Sequence, residues 1–474
     1  MVKFCKNSTL CVLLISIVAI YICYFYMYLI INEFPHIEGE VSSLIHDPKN
    51  YYSTHLRPHA HDNSNPSTIF YPQNQNENEN QNKDVIEQQK HTITSITTDT
   101  QPPIEEVKEE EIKKNSIQKK KVAYAITITK DGPFTDGALV LGYAARRIHG
   151  LVNMNNINIH KNNPDTALPR PGNSEYDVEL VAFMKSNVVK SRQILSQYGW
   201  KIIERPLPVE LDEIENTQYM EKMKNSGCCG ADEFLKLWAY TLTSYDRVIH
   251  LDMDSIVYQN MDELYNQPYE LQYTGDYNMA TRPVPPVQGG FLVIKPSLER
   301  FEELRSIIRK GQYSGGSGWE SSHIGKFWGG ATIQGIMPYF YARVHEGDAK
   351  ELNRCIYNVM VDNPYRPYRN ENDVKKCLNG QPTCEDCRKQ SIEKVKSAHF
   401  TICQKPWTCT KHDNPRNKDL CEKLHAQWFQ LRDEFEQEQQ ISNEYRATKT
   451  RFRDSLGMCA GYGSNKYKPI PVSV

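Results

Sequence analysis

Short apolar runs alternate with amphipathic segments along residues 121–310, and this pattern constrains the fold more than any other feature of the chain. The apolar runs predict buried strands at residues 122–129, 176–184, 200–205, 247–251 and 291–294. The intervening segments predict helices at residues 136–148, 188–198, 232–242 (with Asp232 as N-cap) and 297–310. This alternation predicts an α/β domain with a mostly parallel sheet, whose ligands lie at the carboxyl ends of the strands.

The triplet Asp252-Met253-Asp254 directly follows the apolar run RVIHL and is the only Asp-x-Asp in the chain. About one such triplet is expected by chance in a chain of this length, so its position carries more weight than its presence. Two carboxylates at the end of a buried strand suit Mg²⁺ or Mn²⁺, which bind together with substrate phosphates. The pair equally fits a turn cap or a solvated strand end, so the triplet alone leaves metal binding open.

A second polar group lies in the stretch HFTICQKPW, which begins at His399. A lone histidine is more commonly a packed or surface residue than a ligand, but Lys405 adds a positive charge that suits a phosphate. Two carboxylates, a histidine and a lysine together indicate a metal–diphosphate site of the kind used in nucleotide-sugar transfer. The 56 basic and 58 acidic residues nearly balance, which argues against a nucleic-acid partner.

Residues 10–31 contain no charged side chain and are long enough to cross the hydrocarbon core of a bilayer. Lys3 and Lys6 precede this run, so the positive-inside rule predicts a cytosolic tail at residues 1–9 and a lumenal remainder. The run ends in bulky residues, which favours a transmembrane signal anchor over a cleaved signal peptide. We therefore predict a single-pass type II membrane protein whose main domain is lumenal.

Residues 32–118 are rich in Asn, Gln, Glu, Pro, Thr and His. Such a segment buries too little apolar surface to offset its ordering entropy, which predicts a flexible, disordered stem. The main domain is predicted at residues 119–420. Residues 421–474 are expected to form a C-terminal helix and tail, and the helix carries an apolar stripe of Leu424, Trp428, Leu431 and Phe435.

Ten of the 13 cysteines lie beyond the predicted stem. In a lumenal domain an even number predicts disulfides, although their spacing does not reveal which cysteines pair. The alternative is a zinc site built on Cys384 and Cys387, with Cys377, Cys403 and Cys409 nearby. That alternative belongs to a cytosolic zinc protein and requires the anchor prediction to fail.

Four separated motifs between about residue 122 and residue 407 resemble glycosyltransferase family 8, the glycogenin-like retaining glycosyltransferases. They are TITKD with the following GALVLG, FLKLWAY leading to HLDMD, QGGFLVIKPS, and HFTICQKPW. Each motif is modest alone, but their order and spacing make the resemblance specific. It implies a glycosyltransferase-A fold, which is Rossmann-like, and together with the anchor it implies a membrane-bound Golgi member of the family.

The resemblance also implies roles for individual residues. The implied ligands of Mn²⁺ (or Mg²⁺) are Asp252, Asp254 and His399. The implied contacts to a UDP-sugar donor are Thr129, Lys236, Asp252, Gln288 and Lys405. Gln334 would lie beneath the anomeric carbon, so Gln334 and Lys405 are the expected catalytic residues. Lys405 and the metal would stabilise the leaving diphosphate during a transfer that retains the anomeric configuration.

The sequence departs from the family at three positions. The aspartate before the family's glutamine is Ile333 here, which leaves the donor sugar open, and Asp276 or Glu320 could supply the missing carboxylate. The family's asparagine is Gln288, and the glycine of the closing motif is Ile402. Since no implied metal ligand is lost, we expect transfer of a hexosyl or N-acetylhexosaminyl unit, glucose or N-acetylglucosamine favoured, to a glycan or glycoprotein.

Two further functions stay open. Ile333 is consistent with a catalytically weak lumenal scaffold that binds nucleotide or glycan. The segment Ile356-Tyr357-Asn358 resembles glycogenin, and Tyr365 occupies the position of its self-glucosylated tyrosine, which allows a self-glycosylating initiator. The insertion at residues 377–387 is expected to be a disulfide-stapled loop, with a role on the acceptor side as the alternative.

Overall fold

The structure, a computed structural model, describes residues 119–157, 167–225, 230–279, 283–366, 376–442 and 455–472. The predicted cytosolic tail, anchor and stem lie outside the described residues, as do Cys228 and Cys229. Within the described ranges, no helix combines the length and the apolar character needed to span a bilayer.

A seven-stranded sheet organises the described part of the chain. The strands of the described residues are β1 (Lys121–Ile128), β2 (Asp177–Met184), β3 (Trp200–Glu204), β4 (Arg247–Leu251), β5 (Ser255–Val257), β6 (Leu271–Gly275), β7 (Val287–Ile294), β8 (Tyr313–Ser314), β9 (Gly318–Trp319), β10 (Ala349–Glu351) and β11 (Ser397–His399). The order in the seven-stranded sheet is β10-β6-β7-β4-β1-β2-β3, whereas β5 pairs with β11 and β8 pairs with β9. Strand β7 runs antiparallel to both of its neighbours, and the other six strands of the large sheet share one direction, which confirms the mostly parallel α/β sheet.

The α-helices of the described residues cover the sheet, and those predicted after β1, β2 and β7 are confirmed. Ser297 caps the helix after β7, because its Oγ accepts a hydrogen bond from Arg300 N at 3.2 Å. The helices are α1 (Phe134–Ile148), α2 (Lys190–Gln197), α3 (Thr217–Asn225), α4 (Leu298–Lys310), α5 (Ile333–Tyr339) and α6 (Lys418–Glu438).

The helix predicted at residues 232–242 is present but differs in type, since Ala231–Thr241 is a 3₁₀ helix. Asp232 is not its N-cap; Gly230 occupies that position, and the Asp232 carboxylate instead accepts a hydrogen bond from Lys185 Nζ at 2.9 Å. Three residues per turn place side chains at i and i+3 directly above one another. Glu233 and Lys236 are therefore brought together on one side of this helix.

Apolar side chains fill both faces of the sheet. Along β1, Val122 and Tyr124 belong to one buried cluster and Ala123 and Ala125 to the other, as expected from side chains that alternate across a strand. Helices α1 and α6 cover the first face, where the predicted stripe of α6 is buried. Helices α4 and α5 and the 3₁₀ helix cover the second face.

Eight described cysteines form four disulfides, which confirms the disulfide prediction. The zinc alternative is wrong, because every sulfur that it requires is bonded to another sulfur and is not a free thiolate. The pairs are Cys355–Cys387, Cys377–Cys384, Cys403–Cys421 and Cys409–Cys459.

Candidate active site

Asp252, Asp254 and His399 meet at the carboxyl end of β4. Asp252 is the first residue after β4, and the antiparallel pairing of β5 with β11 sets His399 opposite Ser255, next to Asp254. One ligand atom from each of the three side chains lies within 4.8 Å of the others. His399 Nε2 lies 3.2 Å from Asp254 Oδ1 and 3.9 Å from Asp252 Oδ2.

Two glycines allow this close approach. A Cβ atom on Gly290 would lie 2.4 Å from His399 Cε1 and 2.9 Å from Asp252 Oδ2, so a larger residue there would displace two of the three side chains. A Cβ atom on Gly137 would lie 2.3 Å from Met253 O, which brings α1 against the turn between the two aspartates. The backbone of Gly290 also holds the turn, because its carbonyl accepts a hydrogen bond from Asp252 N at 3.1 Å.

One lysine pairs with each aspartate. Lys236 Nζ lies 2.8 Å from Asp252 Oδ1 and 2.9 Å from Glu233 Oε2, and it also donates to Gly289 O at 3.2 Å. Lys405 Nζ lies 2.9 Å from Asp254 Oδ2. The Lys236 side chain is only 6% exposed, whereas that of Lys405 is 26% exposed. Lys405 is therefore the lysine that solvent and a ligand reach more readily.

The electrostatics of the cluster favour an ionised Asp254 carboxylate. Burial alone would raise the pKa of Asp254, but the charges of His399 and Lys405 outweigh burial and hold that pKa well below its ordinary value. Burial would lower the pKa of His399, but Asp254 and Asp252 raise it overall. Burial would likewise lower the pKa of Lys236, but Asp252 and Glu233 raise it above its ordinary range.

These side chains fit a divalent cation. Two carboxylates and an imidazole form a donor set of oxygen and nitrogen that suits Mn²⁺ and Mg²⁺. The other ring nitrogen of His399, Nδ1, is buried and has no hydrogen-bond partner among the described residues. The structure thus brings together the three residues that the motif resemblance implies as metal ligands.

The remaining predicted site residues lie on other elements. Thr129 directly follows β1 and is half-buried. Gln334 is the second residue of α5, and within the described ranges its buried Oε1 has no hydrogen-bond partner. Gln288 lies in β7, where its Oε1 accepts hydrogen bonds from Gly290 N at 2.6 Å and from Asn358 Nδ2 at 3.4 Å. The side-chain oxygen of Gln288 is therefore engaged within the chain.

Four residues whose roles the sequence leaves open have distinct surroundings. Ile333 is fully buried at the start of α5 and lies against Gly289. Asp276 follows β6 and is buried, and burial, assisted by the nearby charge of Asp362, raises its pKa to about 6. Glu320 is exposed and accepts a hydrogen bond from Tyr339. Tyr365 pairs through its backbone with Cys377 in an isolated antiparallel bridge.

Glu233 was not predicted from the sequence, and the structure places it beside the proposed metal ligands. Its carboxylate contacts Lys236, and burial raises its pKa, with Lys236 opposing that rise and Asp252 adding to it. The only sequence signal for this contact is the i, i+3 spacing of the two residues. That spacing brings side chains into register in a 3₁₀ helix, which the apolar pattern of residues 232–242 does not distinguish from an α-helix.

No known protein-family profile matches this chain. It is 24% identical over 208 residues to the putative UDP-glucuronate:xylan alpha-glucuronosyltransferase 5 of Arabidopsis thaliana, over 42% of this chain and 28% of that protein. It is 58% identical over 38 residues to glucose N-acetyltransferase 1 of Gibberella zeae, over 8% of each chain. The chain thus spans less than a third of the length of either curated relative.

A solved structure with a partly similar backbone is mouse xyloside xylosyltransferase 1 in its apo form. The TM-score is 0.33 with 12% sequence identity, over 59% of this chain and 98% of that chain. Similarity at this level carries no conclusion about activity. The two curated relatives and this solved structure are all named as transferases.

Proposed function

We propose that this chain is a glycosyltransferase that uses a UDP-sugar and a divalent cation, as a retaining member of glycosyltransferase family 8. The observation that carries the proposal is the cluster of Asp252, Asp254 and His399 at the carboxyl end of β4, flanked by Lys236 and Lys405. The plant relative supports a UDP-linked donor, since its name specifies UDP-glucuronate.

Asp252, Asp254 and His399 would hold the cation, for which we propose Mn²⁺ with Mg²⁺ as the alternative. A bound cation offsets the negative charge of a nucleoside diphosphate and stabilises it as a leaving group. Lys405 is the lysine that we expect to meet the diphosphate, because its side chain is partly exposed. As a point charge it suits a phosphate oxygen.

Lys236 has a different role in this proposal. Its ammonium group contacts three acceptors within the chain, Glu233, Asp252 and the backbone of Gly289. An ammonium group has three hydrogens, so these contacts account for all of them. We therefore assign Lys236 to positioning Asp252 rather than to direct contact with the donor.

Gln334 is the residue that we expect to face the donor sugar. Its buried Oε1 has no hydrogen-bond partner among the described residues, and a buried oxygen of this kind favours a ligand donor group. Transfer on the front face of the sugar, with retention, requires no strong protein nucleophile at this position. Ile333 is apolar and offers no hydrogen bond where the family has an aspartate, so this position does not select the sugar. We propose glucose or N-acetylglucosamine as the donor sugar, and the donor panel below tests the choice.

The test uses the full chain in detergent, Mn²⁺, and a panel of UDP-glucose, UDP-N-acetylglucosamine, UDP-galactose, UDP-xylose and UDP-glucuronate. We expect metal-dependent UDP release with one of these donors and none from Asp254→Asn. Asp419→Asn is the matched control, because this aspartate is 80% exposed on α6. A chain that binds UDP but releases none from any donor would favour the scaffold.

We also propose a single-pass type II protein of the Golgi membrane with its catalytic domain in the lumen. The disulfides support this location, since such bonds persist in oxidising compartments. Protease protection in sealed microsomes tests it. The domain is expected to resist digestion until detergent is added, and digestion without detergent would contradict the lumenal topology.

A further inference from the structure

A cavity of about 160 Å³ lies where β6 and β10 end. Strand β6 ends at Gly275 and β10 at Glu351, and both strands run in the same direction as β4. Their carboxyl ends therefore open at the edge of the sheet that also carries Asp252 and Asp254. We call this cavity the β6–β10 pocket.

The walls of the pocket are tied together by hydrogen bonds and disulfides. The Tyr277 hydroxyl donates to Glu351 Oε1 at 2.7 Å, and the Arg354 guanidinium lies 5.3 Å from the centre of the Tyr277 ring. Elsewhere in the lining, Asn353 Nδ2 donates to Glu385 Oε2 at 2.9 Å. The disulfides Cys355–Cys387 and Cys377–Cys384 fasten the segments that supply these residues. The pocket is thus formed before any ligand binds.

The lining selects a particular chemistry. One aromatic ring, two carboxylates and two side-chain amides suit the hydroxyl groups and the apolar face of a sugar. The one cationic side chain of the lining, Arg354, is committed to the buried Asp362, with Nη1 and Oδ2 2.6 Å apart. Glu351 and Glu385 leave the pocket acidic, which disfavours an anionic ligand.

The volume of the pocket limits it to one sugar residue. A cavity of about 150 Å³ accommodates benzene, which has half the heavy atoms of a hexose, so a pocket of about 160 Å³ takes up one side of a single sugar ring and has no room for a second. The pocket lies on the same edge of the sheet as the metal-ligand cluster, because only β7 separates β6 from β4 and Tyr277 lies two residues after the end of β6.

We propose that the β6–β10 pocket binds a neutral sugar residue of the acceptor. This inference rests on the proposed function for its place in catalysis, but the binding of sugar by the pocket is measurable without catalysis. It also gives the disulfide-stapled loop around residues 377–387 a role, which is to form one wall of an acceptor site.

The first experiment measures binding to the full chain without donor or metal, by saturation-transfer NMR. The probes are the methyl glycosides of glucose, galactose, mannose and N-acetylglucosamine, with methyl glucuronide as the anionic probe. We expect at least one neutral glycoside to bind and the glucuronide to bind more weakly. We expect Tyr277→Ala and Glu385→Gln each to weaken binding about ten-fold. Glu299→Gln, 76% exposed on α4, is the control and leaves binding unchanged.

Glu385 is exposed at the rim, so its variant is expected to fold even where Tyr277→Ala does not, and thermal unfolding checks both. A second experiment measures metal-dependent UDP release by the same wild-type chain. If the chain releases UDP but both substitutions leave sugar binding unchanged, the proposal that the pocket binds sugar is wrong and the proposed function stands. The same conclusion follows if the chain releases UDP and no probe binds. Variant-sensitive sugar binding without UDP release supports the pocket and overturns the proposed function. Preference for the glucuronide overturns the neutral class.

Discussion

Lys236 Nζ lies 2.9 Å from Oε2 of Glu233, the residue one turn earlier in the 3₁₀ helix, and 2.8 Å from Asp252 Oδ1. These two contacts connect a helix on the second face of the sheet to the end of β4. Because the three charges alternate in sign, each side chain limits where the others can lie. The position of one proposed metal ligand thus depends on a helix that carries no ligand itself.

Replacing Lys236 by methionine is expected to destabilise the chain in the absence of metal. The substitution leaves the partly buried carboxylates of Glu233 and Asp252 close together without a counter-charge. Loss of one partner in a buried ion pair costs about 3–5 kcal/mol. We expect about 3 kcal/mol here, at the lower end of that range, because both carboxylates keep some exposure. Urea denaturation measures the loss.

Lys185→Met is the matched control for that experiment. Lys185 pairs with Asp232, which lies on the same 3₁₀ helix as Lys236. Both side chains of this pair are more exposed than those of Lys236 and its partners, so the expected loss is below about 1 kcal/mol. Equal losses in the two variants would contradict the structural role given to Lys236.

Alanine at Gly290 is expected to abolish Mn²⁺ binding. The added methyl group would overlap His399 and press on Asp252, so two proposed ligands would have to move. Gly132→Ala is the control, since a Cβ atom there meets nothing within 4 Å. Electron paramagnetic resonance of added Mn²⁺ measures the bound fraction, and undiminished binding by Gly290→Ala would show that the cation lies elsewhere.

Removal of a disulfide is expected to cost more stability when the disulfide closes a longer stretch of chain, with a logarithmic dependence on length. Cys377–Cys384 spans 7 residues and Cys409–Cys459 spans 50. The chain-entropy relation predicts losses of about 2.5 kcal/mol for the first pair and about 4 kcal/mol for the second when both cysteines are changed to serine. Urea denaturation compares the two double variants, and a larger loss for the shorter span would contradict the relation.

Asp276 is expected to make stability depend on pH. Burial, assisted by Asp362, raises its pKa from 3.8 to about 6, so between these values the folded chain keeps a proton that the unfolded chain has released. This contribution stabilises the fold at low pH and is lost as the pH rises through 6. Asp276→Asn removes it, so relative to wild type the variant should gain up to about 3 kcal/mol between pH 4 and pH 7.

Thermal and urea unfolding at pH 4 and pH 7 measure that difference. The Asn variant is compared with wild type at each pH, which cancels the contributions of all other groups. A difference that stays constant, or one that favours wild type at pH 7, would contradict the raised pKa of Asp276.

The order of strands and helices could be predicted from sequence because apolar periodicity reports it directly. The run RVIHL, which forms β4, is fully buried, and the carboxyl-end rule then places Asp252 and Asp254 at a ligand-binding edge. His399 required the additional motif resemblance, since its pairing across β5 and β11 joins segments that lie far apart in the chain. The apolar stripe of α6 likewise predicted its burial.

The parts that escaped prediction depend on contacts between distant segments. Apolar spacing at Phe234, Leu237 and Trp238 fits an α-helix and a 3₁₀ helix alike, so the pairing of Glu233 with Lys236 was hidden. Strand β7 extends back to Val287 through Gly289 and Gly290, which weaken a strand pattern. Gly290 is required where His399 approaches, and a Cβ atom on Gly289 would press on Ile333. Disulfide pairing and the β6–β10 pocket follow from the tertiary fold, which local sequence does not encode.

Titration of Mn²⁺ into the full chain, with and without UDP, tests the central claim most directly. The account predicts a bound Mn²⁺ whose affinity rises in the presence of UDP, since cation and diphosphate would share one site. Asp254→Asn and His399→Gln should each abolish this binding, and Asp419→Asn should preserve it. Absence of Mn²⁺ binding with or without UDP, or binding that survives both substitutions, would contradict the account.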